Sequence, residues 1–478
     1  GVMASNQWVA IENEDAGDDN EPEHYWYYFQ ANGKALTNGD NTNIALKTIN
    51  GKKYAFDEEG KMLYGWVAED NAERIDNTDG DGFKEGDYYF GGEDDGAMTT
   101  GWLQMDITYD EATNDYEIAP VFNEDEDQTR WFYFQSNGKK VKAKDGDVQK
   151  SKTINGKKYE FDVNGAMTAE WSLDVEKASK DGVRSGNSSS STNSVAAKYA
   201  QEWRYFSSVE DGARVSKGWF KVVPAEYLNE DKYNDDEDFW YYADGSGNLY
   251  AGEFKTIKGK KYAFRDDGRM LNGLKFIKED EANQSLSVYA DDHDTYNFDN
   301  EDDFLDHAAE FYEPNGYKCF YFGDGDDGAM RTNKTNVEID GENHNFYFEK
   351  SGGHKGAGKT GEKDKKYYQS GMLLKAGSDE KYQVVQFLDT ADAYGYDKLE
   401  DAAEFKSIIE GNTEYTTDDT VNQANIDALG INKKVDDIQE IFVIKRADGK
   451  VGTDAGKFFL VNTSGKVIDS KSKNKDGN

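Results

Sequence analysis

The sequence has one cysteine, Cys319, in 478 residues, so no intrachain disulfide can staple it. Apolar side chains are scarce as well: hydrophobic residues of all kinds reach only 36%, and Leu, Ile and Val are thin among them. No apolar run approaches the ~18 residues of a membrane span. No signal peptide is visible, as in the mature form of an exported chain. Positive charge is short too, with 56 Lys and Arg against 95 Asp and Glu and a net charge of −39. That balance excludes a phosphate-tracking nucleic-acid surface, which needs clustered Lys and Arg, and argues against docking on anionic lipid. A strongly acidic surface stays soluble and attracts cations. The histidines (His24, His293, His307, His344, His354) show no metal-ligand spacing. There is no nucleotide-binding glycine loop and no nucleophile elbow. Among so many carboxylates no glycosidase pair stands out. The chain reads as a non-enzyme.

What is present is aromatic: 31 Tyr, 26 Phe and 9 Trp, together with 48 Gly. Rings bury large area per residue and tolerate a wet edge, so such a core suits short strands and many turns. The chain is also self-similar. Thr-Ile-Asn-Gly-Lys-Lys-Tyr starts at Thr48 and again at Thr153, and Thr-Ile-Lys-Gly-Lys-Lys-Tyr at Thr256. Aromatic runs start at Trp26 (WYYF), Trp131 (WFYF) and Trp240 (WYYA). A third type holds Tyr88-Tyr89-Phe90, Arg204-Tyr205-Phe206 and Phe320-Tyr321-Phe322. The repeat therefore contains hairpins of three kinds and spans 1–101, 102–218 and 219–331. A degraded fourth copy, 332–478, runs through Phe346-Tyr347-Phe348, Lys366-Tyr367-Tyr368 and Phe442-Val443-Ile444. A lone hairpin is marginal in water, so each must stack on its neighbours. The expected fold is all-β: an elongated β-solenoid of stacked hairpins, about three per turn. Variable inserts decorate it, with helical patterns at 195–203, 302–313 and 420–429.

The stretches TINGKKYAFDEEGKMLYGWV (Thr48–Val67) and GDYYFGGEDDGAMTTGWL (Gly86–Leu103) resemble the choline-binding or cell-wall-binding repeats of bacterial surface proteins. They also look like toxin receptor-binding and glucan-binding hairpins. The resemblance covers most of residues 8–375 in pieces. It implies a secreted or cell-surface protein of a Gram-positive-type bacterium, attached to wall polymer through choline-like or glycan groups. One alternative is a carbohydrate-binding module; another is an adhesin or spacer whose inserts bind proteins. In choline-binding members a cage forms from the Trp of Gly-Trp and the first and third residues of the following aromatic run. A quaternary ammonium cannot donate a hydrogen bond, so ring faces are its best partners, at about 0.5–2 kcal/mol each. Carried over, the sets are Trp8 with Trp26 and Tyr28, Trp102 with Trp131 and Tyr133, Trp171 with Trp203 and Tyr205, and Trp219 with Trp240 and Tyr242. The second and fourth rank first, each opening on a true Gly-Trp.

This chain departs from the family by an acidic insertion between the halves of each set. The Thr-Ile-Asn/Lys-Gly hairpins also place Lys53 and Ala55, Lys158 and Glu160, and Lys261 and Ala263 at the cage positions, so they are expected to be structural. Asn77-x-Asp79-x-Asp81-Gly82 matches the first half of a calcium loop, but Tyr88 stands where the bidentate acid belongs. A weak calcium half-site and a plain Asp/Gly turn are both open; no other cofactor is expected. Cys319 reads as a small buried strand residue.

Overall fold

The computed structural model describes residues 1–18, 21–112, 121–123, 126–173, 193–280, 285–289, 297–379, 382–398, 415–416, 445–446 and 458–468. It divides into two compact units. One comprises Gly1–Ser191 with Lys198–Tyr250, the other Thr192–Ala197 with Ala251–Asn478. The boundary falls inside the third sequence repeat.

The first unit is a succession of antiparallel hairpins. Gln7–Glu12 pairs with His24–Phe29, Lys47–Ile49 with Lys52–Tyr54, and Trp66–Val67 with Tyr88–Tyr89. The second repeat keeps the same order: Gly101–Ile107 with Gln128–Phe134, Lys150–Ile154 with Lys157–Phe161, and Glu170–Leu173 with Trp203–Phe206. A seventh hairpin, Gly218–Val222 with Phe239–Ala243, completes the unit. The second and fifth hairpins turn on Asn-Gly with both residues at positive φ, Asn50 at 52° and Gly51 at 81°, then Asn155 at 49° and Gly156 at 81°. That is the turn whose twist matches paired strands, and Asn-Gly is the pair that accepts it most easily.

Each second strand carries a run of four residues whose second and fourth side chains face inward. Phe56, Phe90, Phe134, Phe161 and Phe206, all at the fourth place, are fully buried. A polar turn then brings back a return residue that bridges the fourth: Phe56 with Met62, Phe134 with Lys140, Phe161 with Met167, Phe206 with Arg214. The return residue also joins its hairpin to the previous one. The amide of Met62 donates to the carbonyl of Trp26, Met98 to Lys53, Lys140 to Asp87, Met167 to Trp131 and Arg214 to Lys158, at 2.7–2.8 Å. In every case the acceptor is the first residue of the preceding run, so the step between hairpins is constant. Glycine at the turn is favoured by its positive φ, 62° at Gly96 and 85° at Gly138, where the side chains of Met62 and Met98 pack close.

The second unit opens on the same pattern. Glu253–Ile257 pairs with Lys260–Phe264, and Leu274–Asp280 with Lys318–Tyr321. The step recurs, Met330 N–H to Lys261 O and Gly358 N–H to Cys319 O. The pattern then changes. Asn333–Ile339, Glu342–Phe348, Met372–Leu373, Lys366–Gln369 and Gly361–Lys363 form one five-stranded sheet, because the Tyr347 amide bonds to Gly371 and ties successive hairpins edge to edge. Its core gathers Phe304, Leu305 and Tyr312 of an insert against Phe346, Phe348 and Cys319.

The described residues are strand-rich with few helices. The helix expected over 195–203 is Asn193–Gln201. That expected over 302–313 is Glu301–His307, capped by the Asn300 side chain on Asp303 N–H and continued by a π-helical turn, Ala308–Tyr312. The expected helix 420–429 and the strand Phe442-Val443-Ile444 lie outside the described residues. No helix among those described is long and apolar enough to cross a membrane.

Candidate aromatic binding sites

The register joins the halves of each sequence-derived set within one hairpin. Trp8 lies opposite Tyr28, Trp102 opposite Tyr133, Trp171 opposite Tyr205 and Trp219 opposite Tyr242. The acidic insertions therefore fall between the two strands of one hairpin and do not separate the rings. Ring centroids of these pairs are 5.2, 5.0, 5.1 and 5.1 Å apart, all edge-on. Such pairs add about 0.5–1.5 kcal/mol beyond their area. The first residue of each run joins in three sets: Trp131 lies 6.3 Å from Trp102, Trp203 6.0 Å from Trp171 and Trp240 6.4 Å from Trp219, each near 90°.

Exposure separates the sets. Trp8, Trp26 and Tyr28 are half-buried, as are Trp102, Trp131 and Tyr133, and Trp219, Trp240 and Tyr242. In the remaining set Trp203 is 0% exposed and Tyr205 9%. Tyr199 of the helix Asn193–Gln201 covers Trp203, while Phe220 stacks on Tyr205 at 4.7 Å. Burial pushes the Tyr205 hydroxyl up to about 12. Trp203 and Tyr205 are core in this structure.

Each half-buried set in the first two repeats is floored by the next hairpin in the chain. Trp8 meets Tyr54 at 4.9 Å and Phe56 at 5.8 Å; Trp102 meets Tyr159 at 4.9 Å and Phe161 at 5.9 Å. The Thr-Ile-Asn-Gly hairpins thus contribute rings through their second and fourth residues, although Lys53 and Lys158 at the first are exposed. Sequence reasoning weighed only the first and third. Met62 and Met167 complete the two apolar floors, with Ala97 and Ala213 from a third hairpin beside them. That third hairpin also sets a carboxylate at the margin. Asp94 accepts from Trp26 Nε1 at 2.9 Å and lies 3.0 Å from His24 Nε2. Asp211 accepts from Tyr159 OH and Lys157 Nζ, both at 3.3 Å. Hydrogen bonding to Trp26 lowers the Asp94 pKa, keeping the carboxylate charged.

A further Gly-Trp, Gly65-Trp66, escaped the sequence reading because its run begins with Asp87. Trp66 is 2% exposed and lies 5.1 Å from Tyr89, 5.8 Å from Phe132 and 5.9 Å from Phe134. Of the half-calcium loop, Asn77 Oδ1 accepts the Gly82 amide at 2.8 Å and so closes a turn before the short helix Gly82–Glu85, which Asp81 precedes. Asp79 lies in the same turn region, and no set of three His, Cys, Asp or Glu side chains among the described residues converges as a metal site. Cys319 is buried, and that burial drives its thiol pKa upward.

The site so defined is a row of shallow aromatic faces on stacked hairpins. No family model matches the chain. A curated relative, glucosyltransferase-S of Streptococcus mutans, is 22% identical over 273 residues; the match spans 57% of this chain but only 12% of that protein. Among solved structures, the chain is similar to the modular autolysin LytC of Streptococcus pneumoniae, at 15% identity and TM-score 0.32, over 80% of this chain and 55% of the other. It is also similar to CbpJ of the same species, at 16% identity and TM-score 0.27, over 77% and 100%, and to choline binding protein F, at 19% and 0.26, over 70% and 100%.

Proposed function

We propose that this chain is a non-catalytic module that attaches to a bacterial cell-wall polymer at the cell surface, through repeated aromatic faces that take choline-like cations. The observation that carries the reading is the paired geometry of Trp102–Trp131–Tyr133 and Trp219–Trp240–Tyr242. Both sets keep ring faces half-open on a constant scaffold, whereas a purely structural cluster would close them. A fixed carboxylate at the rim, Asp94 or Asp211, suits a cationic guest. Weak sites suffice when several act on one polymer, because linked binding multiplies affinity. The reading includes the winding of the constant-step hairpins into a β-solenoid. Small-angle scattering tests that part: a radius of gyration near the ~23 Å of a compact chain this long would count against it.

The second reading is a glucan-binding module, in which the same rings stack on sugars. The partial likeness to glucosyltransferase-S supports it. One experiment separates the two: adhesion of Trp131→Ala with Trp240→Ala to purified walls, with free choline or free glucan as competitor. On the first reading the double variant loses adhesion, keeps its circular dichroism, and the wild type is displaced by choline. Displacement by glucan alone transfers the function to the second reading. Adhesion that survives in a folded double variant moves it to the inserts.

A further inference from the structure

The niche around Trp66 has the same plan as those around Trp8 and Trp102. Each has a Gly-Trp or N-terminal Trp, the third residue of its own run, and the second and fourth residues of the next run, at ring distances of 4.9–5.9 Å. The return residue of the next hairpin packs into each. In the Trp8 and Trp102 niches that residue is Met62 and Met167. In the Trp66 niche it is Lys140, 5% exposed. Its Nζ stands 5.0 Å from the Trp66 ring centroid and 5.8 Å from that of Phe132, and donates to the backbone carbonyl of Phe83. Among the described residues no carboxylate bonds to it. Its charged neighbours are Lys142, Asp162 and Asp87. Asp87 is itself paired with Lys142 at 3.0 Å, and Asp162 Oδ1 caps the amides of Asn164 and Ala166.

Burying an ammonium is costly unless something replaces water. Here the replacements are ring faces and a carbonyl, the groups that bind organic ammonium ions in aromatic cages. We propose that the Trp66 niche is an ammonium-binding site that the chain fills with its own Lys140, closing it to outside ligands. The cage chemistry is then built into the scaffold at one position and answered from within. Cation-accepting faces remain where the run begins with Trp and the return residue is apolar. This assignment does not depend on which polymer the protein meets.

The test removes the tether and returns the guest. Lys140→Ala leaves a cleft shaped for propylammonium, and thermal unfolding at pH 6 is followed as propylammonium chloride is added. The expected result is a saturable rise in melting temperature, larger than with equal sodium chloride or with 1-propanol, the neutral counterpart. Equal rescue by propanol, or none by either, overturns the proposal. If the variant does not fold alone, its refolding yield in the same three solutes discriminates in the same way. A second measurement tracks the Lys140 side chain by carbon NMR in the wild type and in Phe132→Leu. Loss of a ring face that holds the cation must lower the lysine pKa; an unchanged value overturns the cage.

Discussion

The fourth and sixth hairpins carry the same sequence device and put it to opposite uses. Both pair a Trp with the third residue of an aromatic run, at 5.0 and 5.1 Å, and both set a second Trp edge-on. Yet Trp131 is half-open and Trp203 is sealed. The difference comes from the neighbouring hairpin and from the insert that each hairpin carries. After the fourth stands a Thr-Ile-Asn-Gly hairpin, whose outward residue at the first position is the exposed Lys158. After the sixth stands another aromatic hairpin, which lays Phe220 and Tyr241 against Trp171 at 5.7 and 5.1 Å, while a helix brings Tyr199 over Trp203. A set with the same three rings becomes core or surface according to the hairpin that follows it and the insert its own hairpin carries.

That contrast breaks most visibly under truncation. Trp203→Ala empties a fully buried site and should cost about 3–5 kcal/mol, whereas Trp131→Ala should cost about 1 kcal/mol, since its ring already meets water. Urea unfolding of the first unit's signal measures both, and equal losses would erase the distinction. Next in size is the pH dependence of the sealed Lys140 amine, which holds its proton in the folded chain only below about 7. Burial pulls Lys140 down to about 7, while an unfolded lysine stays near ~10.4. Between those values the unfolded chain holds the extra proton, so stability should rise with pH through this window by up to a few kcal/mol and level off above it. Lys140→Met should flatten the rise, which denaturation at pH 7, 8.5 and 10 would reveal.

Smaller effects sharpen the picture of the open sets. Asp211→Asn should weaken binding of a choline-bearing polymer about two- to fivefold at low salt and less at high salt, because a rim charge is screened. No salt dependence would remove the rim from recognition. Lys158→Ala should leave the affinity unchanged, since that side chain points away from the floor its hairpin supplies. A loss above about tenfold, or 1.4 kcal/mol, would make the fifth hairpin part of the ligand face.

Much of this was legible in the residues. Alternation in Tyr54-Ala55-Phe56 and the Asn-Gly turns specify hairpins, and the periodic spacing specifies stacking. The partnership of Trp102 with Tyr133 follows from the family pattern. The long insertions misled, because distance along a chain says nothing about distance across an antiparallel pair. The floor of each set was missed since it comes from the second and fourth residues of the next run, an inter-hairpin relation. The closure of Trp203 depends on a helix inside an insert. Trp66 was overlooked because Asp87 heads its run, and Lys140 because its meaning lies in standing where Met62 and Met167 stand.

The joint between hairpins is an amide donating to a carbonyl, and the residues lending the carbonyl are Trp26, Lys53, Asp87, Trp131, Lys158, Lys261 and Cys319. An indole, an ammonium, a carboxylate and a thiol all serve, since none takes part. What a hairpin displays is thereby uncoupled from how it is joined, and only proline is barred from the donor position. The 4 prolines of the chain, Pro22, Pro120, Pro224 and Pro314, all fall outside those positions. In evolutionary terms, copies could be duplicated, deleted or exchanged between relatives by recombination, each arriving with its own face and a universal fitting. Valency could then be adjusted by gene copy events with the backbone joint unchanged, each new neighbour deciding which ring sets stay open.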